Sequence, residues 1–216
     1  MPSVKIARKS TDTDMTPFVD IAFLILSFFI MATKFKPPDI VEIKTPGSVL
    51  SQKLPENNAV MISFDSTNRV FFTVLSEKDP QKYTDIIKEV NDGQSLGLTP
   101  SEMANFRNIY MVGVPLAGVK QLLAMDAKAV EKLRQPGIPV EDSANNQLYW
   151  WVRAAKNAFA GEKLNYLIKG DANSKYPAFE AVVAALKRNE EYKYNLITTL
   201  DGGEAALYEA NKAKNK

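Results

Sequence analysis

The feature that most constrains this chain is a dense apolar block close to its N-terminus, over residues 16–33. Between residues 18 and 32, only Asp20 and Ser27 have polar side chains. As a helix, the block would be roughly 27 Å long, which is close to the roughly 30 Å hydrocarbon core of a bilayer. A helix that is apolar on nearly every side needs apolar surroundings. We therefore predict a transmembrane helix over residues 15–34.

Two other interpretations of the block are less consistent with the sequence. A cleavable signal peptide would begin with basic residues, as this chain does, but Asp12 and Asp14 precede the block and Asp20 interrupts it. The small residues of a cleavage site are also missing. A buried helix of a soluble domain is possible, but the block is apolar nearly all round and has the length and flanks of a membrane span. Basic residues flank the block equally on both sides, so the positive-inside rule does not decide its orientation and allows an N-inside single pass.

The composition excludes several classes of function. The chain has no Cys and no His, which excludes thiol nucleophiles, Ser-His-Asp triads, disulfides and metal sites built from these residues. Lys and Arg number 27 against 25 Asp and Glu, so the net charge of +2 gives no reason to expect nucleic-acid binding. We predict that the chain is not an enzyme and holds no metal.

Asp20 is an unusual residue for a membrane anchor, because a carboxylate inside a bilayer is costly unless it has a function. At about 100° per residue, Thr16, Asp20 and Ser27 fall within a sector of roughly 40°. Such a polar stripe is expected to face a protein partner or a water-filled cavity. A carboxyl group kept from water favours its neutral form, so Asp20 could load and release a proton. The alternative is that Asp20 reaches the membrane interface and has no such function.

The remainder of the chain has the pattern of an α+β domain. After a linker over residues 35–57, which contains an extended segment at 40–46, residues 59–64 and 70–75 predict a β-hairpin. Residues 164–168, 176–188 and 194–199 predict a β-α-β unit. We place this domain at 58–201, with a helical insertion at about 76–160, and we predict a flexible tail over 202–216.

Inside the insertion, capping and proline signals mark the expected helices. Asp79 and Pro80 open the first, and Thr99 with Glu102 forms a capping box for the second. A third is expected to run from Pro115 through Leu133. Residue Ser143 is expected to cap a last helix, whose inward face carries Leu148, Trp151, Val152, Ala155 and Phe159.

The sequence from Asp14 to Asp20, followed by the apolar block, resembles the N-terminal signature of the ExbD/TolR family. The match is at Asp14, Thr16, Pro17 and Asp20. The extended segment from Val41 to Pro46 is similar to a second family element, although Thr45 stands where Leu is usual. The sequence from Ile168 to Asp171, followed by Tyr176 and Pro177, resembles a third.

This resemblance implies a subunit of a proton-driven motor in the bacterial inner membrane. Residues 1–14 would be cytoplasmic and the C-terminal domain periplasmic. Asp20 would carry the proton, with protons as the coupling ion and no other cofactor. The helix would sit, as one of a homodimer, inside a pentameric ExbB-like channel. Val41, Ile43 and Pro46 would contact a partner, and the motor would act on a TonB-like protein.

The alternative is a membrane-tethered periplasmic binding protein, or a TolR-like protein of envelope integrity that binds cell wall.

Overall fold

The structure, a computed structural model, describes residues 15–32, 41–48, 55, 57–76, 78–140 and 145–200. The chain divides into two compact units, residues 1–37 and 38–216. Several predictions fall outside the described residues: the N-terminal segment 1–14, most of the linker, Ser143 as a helix cap, and the tail 202–216. In the first unit, α1 (Thr16–Ala32) is a helix of 17 residues within the range 15–34.

The second unit contains six strands and six α-helices among its described residues. The strands are β1 (Gly47–Ser48), β2 (Ala59–Phe64), β3 (Val70–Leu75), β4 (Asn165–Gly170), β5 (Asn195–Ile197) and β6 (Thr199–Leu200). The helices are α2 (Gln81–Gln94), α3 (Pro100–Asn105), α4 (Val119–Leu123), α5 (Ala127–Lys132), α6 (Leu148–Ala158) and α7 (Tyr176–Arg188). Short 3-10 turns lie at Phe106–Asn108 and Leu116–Gly118.

The main sheet has the strand order β3-β2-β4-β5. Strands β2 and β3 form an antiparallel hairpin, with Phe64 opposite Val70 at the turn. Strand β4 lies parallel to β2, and β5 lies parallel to β4 after the chain crosses through α7. The predicted hairpin and β-α-β unit are therefore confirmed, and the domain is α+β with a small sheet and several helices.

The core lies between one face of this sheet and the helices. Val60, Ile62 and Phe72 of the sheet join one buried cluster with Trp151 of α6 and Val182 of α7. The ring of Trp151 is 0% exposed and lies 5.5 Å from that of Phe72 and 5.9 Å from that of Phe106, between centroids. The predicted inward face of the last helix is confirmed, since all five of its side chains are buried.

The sequence led us to expect a purely helical insertion, but parts of it pair with the sheet. Val112 and Ile138 run beside the outer edge of β3. The Val112 amide donates to the Phe72 carbonyl at 2.9 Å and its carbonyl accepts from Phe72 at 2.7 Å, while Ile138 donates to Val70 at 2.7 Å. An uncovered strand edge is a site for unwanted pairing. The insertion therefore closes this edge of the sheet.

The prediction of one helix from Pro115 through Leu133 is wrong, because a break at residues 124–126 separates α4 from α5. The side-chain amide of Asn105 in α3 donates to the carbonyls of Leu123 and Met125, at 2.8 and 3.0 Å. Carbonyl groups satisfied by a neighbouring side chain do not need a continued helix. Leu133, which the continuous helix would have buried, is 37% exposed.

Candidate functional site

Helix α1 places the three residues of the predicted polar stripe on one side. Its continuous helical geometry from Thr16 to Ala32 gives Thr16, Asp20 and Ser27 nearly the same direction. The hydroxyl of Ser27 donates to the Leu24 carbonyl at 2.9 Å, so Ser27 turns back onto its own helix. Asp20 is exposed, and it is the single charged residue of α1.

The apolar side chains of α1 are exposed on every side, for example Phe23 at 66% and Leu24 at 59%. None of the residues of this helix is buried. In the part of the chain that the structure describes, no helix is both long and apolar enough to cross a membrane. Apolar side chains exposed next to one another in this way are typical of a surface that contacts a partner.

The extended segment, residues 41–48, alternates between the domain and solvent. Val41, Ile43 and Thr45 are half-buried, whereas Glu42, Lys44 and Pro46 are exposed. This period of two is that of a β-strand lying with one face on a surface. Two of the predicted contact residues, Val41 and Ile43, therefore face the domain, and Pro46 faces away from it.

Hydrogen bonds of the main chain attach this segment at the carboxyl end of β4. The Lys44 amide donates to Oδ2 of Asp171 at 2.9 Å, and the Ala172 amide donates to the Lys44 carbonyl at 2.7 Å. Further along, Gly47 and Ser48 form β1, which pairs in parallel with β6. The segment thus runs extended past the end of β4 and ends in a two-stranded sheet made of β1 and β6.

A second buried aspartate lies beside this place, at the hairpin turn. Asp65 accepts from the amides of Thr67 and Arg69, both at 2.9 Å, and forms an ion pair with the Arg69 guanidinium at 2.6 Å. Burial opposes the charge of Asp65, but the hydrogen bonds from Thr67 and Arg69 and the positive charge of Arg69 outweigh it and lower its pKa. Arg69 also donates to the Gln135 carbonyl at 3.0 Å, which ties the turn to the insertion.

The extended segment, the hairpin turn and the insertion together border a cavity of about 390 Å³. Val41 and Glu42 line one side, Arg69 and Phe71 another, and residues 131–135 the third. Basic and acidic side chains are mixed in this lining. Among the described residues, no three acidic side chains converge as metal ligands.

The structure brings together part of what the sequence singled out. Val41 and Ile43 lie on the domain that carries Asp171, for which the sequence allows a pairing with Lys169 or a partner and, at least equally, a role in a turn. A signal for Asp171 was available, because an Asp directly after a predicted strand often closes a turn with its side chain. Its bond to Lys44 carried no signal, since the two residues are 127 positions apart.

A comparison with protein families matches residues 7–201 to the description "Biopolymer transport protein ExbD/TolR". The chain belongs to the ExbD/TolR family. The match includes α1, the extended segment and the whole sheet, and it also runs through the insertion of this ExbD/TolR protein. No curated protein and no solved structure matches the chain. Its general function is accordingly biopolymer transport, in agreement with the resemblance seen in the sequence.

Proposed function

We propose that this ExbD/TolR protein is a motor subunit that converts proton flow across the bacterial inner membrane into movement of periplasmic proteins. The observation that carries the proposal is a single acidic residue on a mostly apolar helix in which no residue is buried. Membership of a biopolymer transport family supports the same function.

In this proposal α1 is embedded in the membrane, with the N-terminus in the cytoplasm and the domain in the periplasm. The apolar faces of α1 contact lipid or an ExbB-like pentameric channel, and a second copy of the chain provides the paired helix. Thr16, Asp20 and Ser27 face the aqueous path between subunits, because a charged group in a membrane is stable only beside water or a polar partner.

Asp20 is the proton carrier in this mechanism. It takes a proton from one side, becomes neutral and able to move past apolar surface, and releases the proton on the other side. One elementary charge crossing about 100 mV provides roughly 2.3 kcal/mol. A few protons would therefore provide enough free energy to break a small protein interface, which is the work that a TonB-like partner requires.

The chemistry of the described residues supports a mechanical rather than an enzymatic function. With neither Cys nor His in the chain, the Asp20 carboxyl group can hold and release a proton, but the helix offers no activated nucleophile. We propose no metal or organic cofactor and no nucleic-acid partner. The coupling ion is the proton.

The test is Asp20→Asn, expressed at the native level together with its neighbouring genes. Asparagine keeps the size and polarity of the side chain and removes the ionisable group, so we expect normal abundance in the membrane and loss of uptake through outer-membrane receptors. Asp126→Asn, the same exchange at an exposed carboxylate of the second unit, is the matched control and should retain uptake. Asp20→Glu should retain part of it, because the proton site is kept.

Two results would overturn the proposal. Full uptake by Asp20→Asn at normal abundance would remove proton transfer from the mechanism. If envelope integrity alone fails while uptake is normal, the TolR-like function replaces import. A passive tether would predict that Asp20→Asn is more abundant than the wild type, because an anchor without the acid inserts more readily.

A further inference from the structure

Among the described residues, Asp65 and Asp171 are buried and lie in equivalent places. Asp65 follows β2 and Asp171 follows β4, and these two strands are parallel neighbours that end with Phe64 beside Gly170. In each case Oδ1 accepts from the amide two residues further on: Thr67 at 2.9 Å for Asp65, and Asn173 at 2.8 Å for Asp171. Both carboxylates therefore close the same kind of turn.

The second carboxylate oxygen distinguishes the two. Oδ2 of Asp65 stays within its own turn, where it accepts from Nε and Nη2 of Arg69 at 2.8 and 2.6 Å. Oδ2 of Asp171 instead accepts from the main-chain amide of Lys44. The turn at Asp171 is already closed by Oδ1 and by Ser174, whose hydroxyl donates to the Asp171 carbonyl at 2.6 Å. The bond to Lys44 is therefore additional to what the turn requires.

Asp171 is itself held firmly in the domain, by burial and by a main-chain hydrogen bond. Asp171 is 7% exposed, and its own amide donates to the Phe64 carbonyl at 3.0 Å, which continues the β2–β4 pairing by one residue. The Lys44 carbonyl accepts a hydrogen bond from the Ala172 amide. Both main-chain groups of Lys44 are therefore bonded to the adjacent residues Asp171 and Ala172. Hydrogen bonds to a carboxylate are roughly twice as strong as those between neutral groups.

We propose that Asp171 is a positioning residue that fixes the register of the extended segment 41–48 on the periplasmic domain. Eight residues, 33–40, separate Ala32, the last residue of α1, from Val41, and Lys44 is hydrogen-bonded at the end of β4. A displacement of α1 would thus reach β4 through Lys44 and Asp171. This inference rests on the proposed function and identifies where its force enters the domain.

Hydrogen exchange of the peptide 41–48, measured on the full chain in detergent, tests the attachment. Asp171→Ala removes the acceptor from the domain, and Lys44→Pro removes the donor from the segment. Each should speed exchange of the segment by about 10- to 100-fold, the range expected for loss of one charge-assisted hydrogen bond. Because both changes delete the same bond, the double variant should exchange no faster than the faster single variant.

Three further variants keep the test specific. Asp171→Asn retains one acceptor oxygen for two amide donors, so its exchange should lie between those of the wild type and Asp171→Ala. Ser174→Ala loosens the same turn without touching Oδ2 and should leave exchange of the segment unchanged. Lys44→Ala removes only the side chain and keeps the main-chain amide that bonds to Asp171. It should therefore exchange as the wild type does.

Uptake by the same variants tests the positioning role. We expect Asp171→Ala and Lys44→Pro to lose most of their uptake at normal abundance, with Ser174→Ala near the wild type. Unchanged exchange in Asp171→Ala would overturn the attachment, and fast exchange with full uptake would overturn the role in transmission. Neither result would affect the proton-transfer proposal, which Asp20→Asn decides separately. If Asp171→Ala fails to fold, Lys44→Pro decides the inference.

Discussion

The ion pair at the hairpin turn provides the sharpest test of the domain's energetics. Asp65→Asn keeps an oxygen for the amides of Thr67 and Arg69, but it places an amide group where Oδ2 accepts from Nε and Nη2 of the Arg69 guanidinium. Breaking a buried ion pair by removing one partner costs about 3–5 kcal/mol. The Arg69 side chain is 23% exposed and keeps its bond to Gln135, so we expect a loss nearer 2–4 kcal/mol.

The assay is urea unfolding of the full chain in detergent, followed by tryptophan fluorescence. Both tryptophans of the chain, Trp150 and Trp151, lie in α6, so the signal comes from this domain alone. A loss of about 3 kcal/mol lowers the urea midpoint by roughly 1–3 M, at the usual slope of about 1–3 kcal/mol/M. Asp126→Asn is the matched control, since that carboxylate precedes α5 without capping it, and it should change stability by less than about 0.5 kcal/mol.

The pH dependence of the stability loss in Asp65→Asn tests whether the charge of Asp65 causes it. The folded chain holds the pKa of Asp65 below its ordinary value of 3.8, so the stabilisation is complete above that pH and disappears as the pH falls through the folded pKa. The difference between the wild type and Asp65→Asn should therefore be constant from pH 7 to about 5 and shrink below 3.8. A loss under about 1 kcal/mol at pH 7, or one that is equally large in acid, would refute this explanation.

Two further substitutions test packing and capping by the same unfolding assay. Gly113→Ala would place a Cβ against the ring of the buried Phe71 and should cost about 1–3 kcal/mol of stability. Gly118→Ala, whose Cβ would lie 3.6 Å from its nearest neighbour, should be neutral or stabilising. Equal effects of the two substitutions would contradict the packing. Asn146→Ala removes an acceptor for the Leu148 amide and a donor to the Ala181 carbonyl, so a loss of about 2–3 kcal/mol is expected, and an unchanged midpoint would show that neither bond matters.

The elements predicted well from the sequence are those with strong local patterns. The hairpin strands and α7 have the predicted bounds, because β-branched and aromatic runs separated by a polar turn, and a proline-led amphipathic stretch, each specify one structure locally. The capping box of Thr99 and Glu102 is also confirmed. In these places local preference and tertiary packing agree.

The elements that sequence patterns missed depend on distant partners. Val112 and Ile138 pair with β3 although neither belongs to a recognisable strand, and the break after α4 exists because Asn105 takes up carbonyl groups that a continuing helix would have used. The predicted last strand, residues 194–199, is divided between two sheets. Hydrophobic periodicity shows that a segment is extended, but it does not show which neighbouring strand each residue pairs with.

The sequence by itself determined an apolar helix with one acid, the absence of thiol and imidazole chemistry, and the β-hairpin and β-α-β unit of an ExbD/TolR domain. These follow from residue type and spacing along the chain, which local physics can interpret. Only the tertiary structure decided that the insertion pairs with the edge of the sheet and that the main chain of the extended segment is hydrogen-bonded to Asp171. The reason is that a hydrogen bond between residues 44 and 171 depends on how the sheet brings the two together.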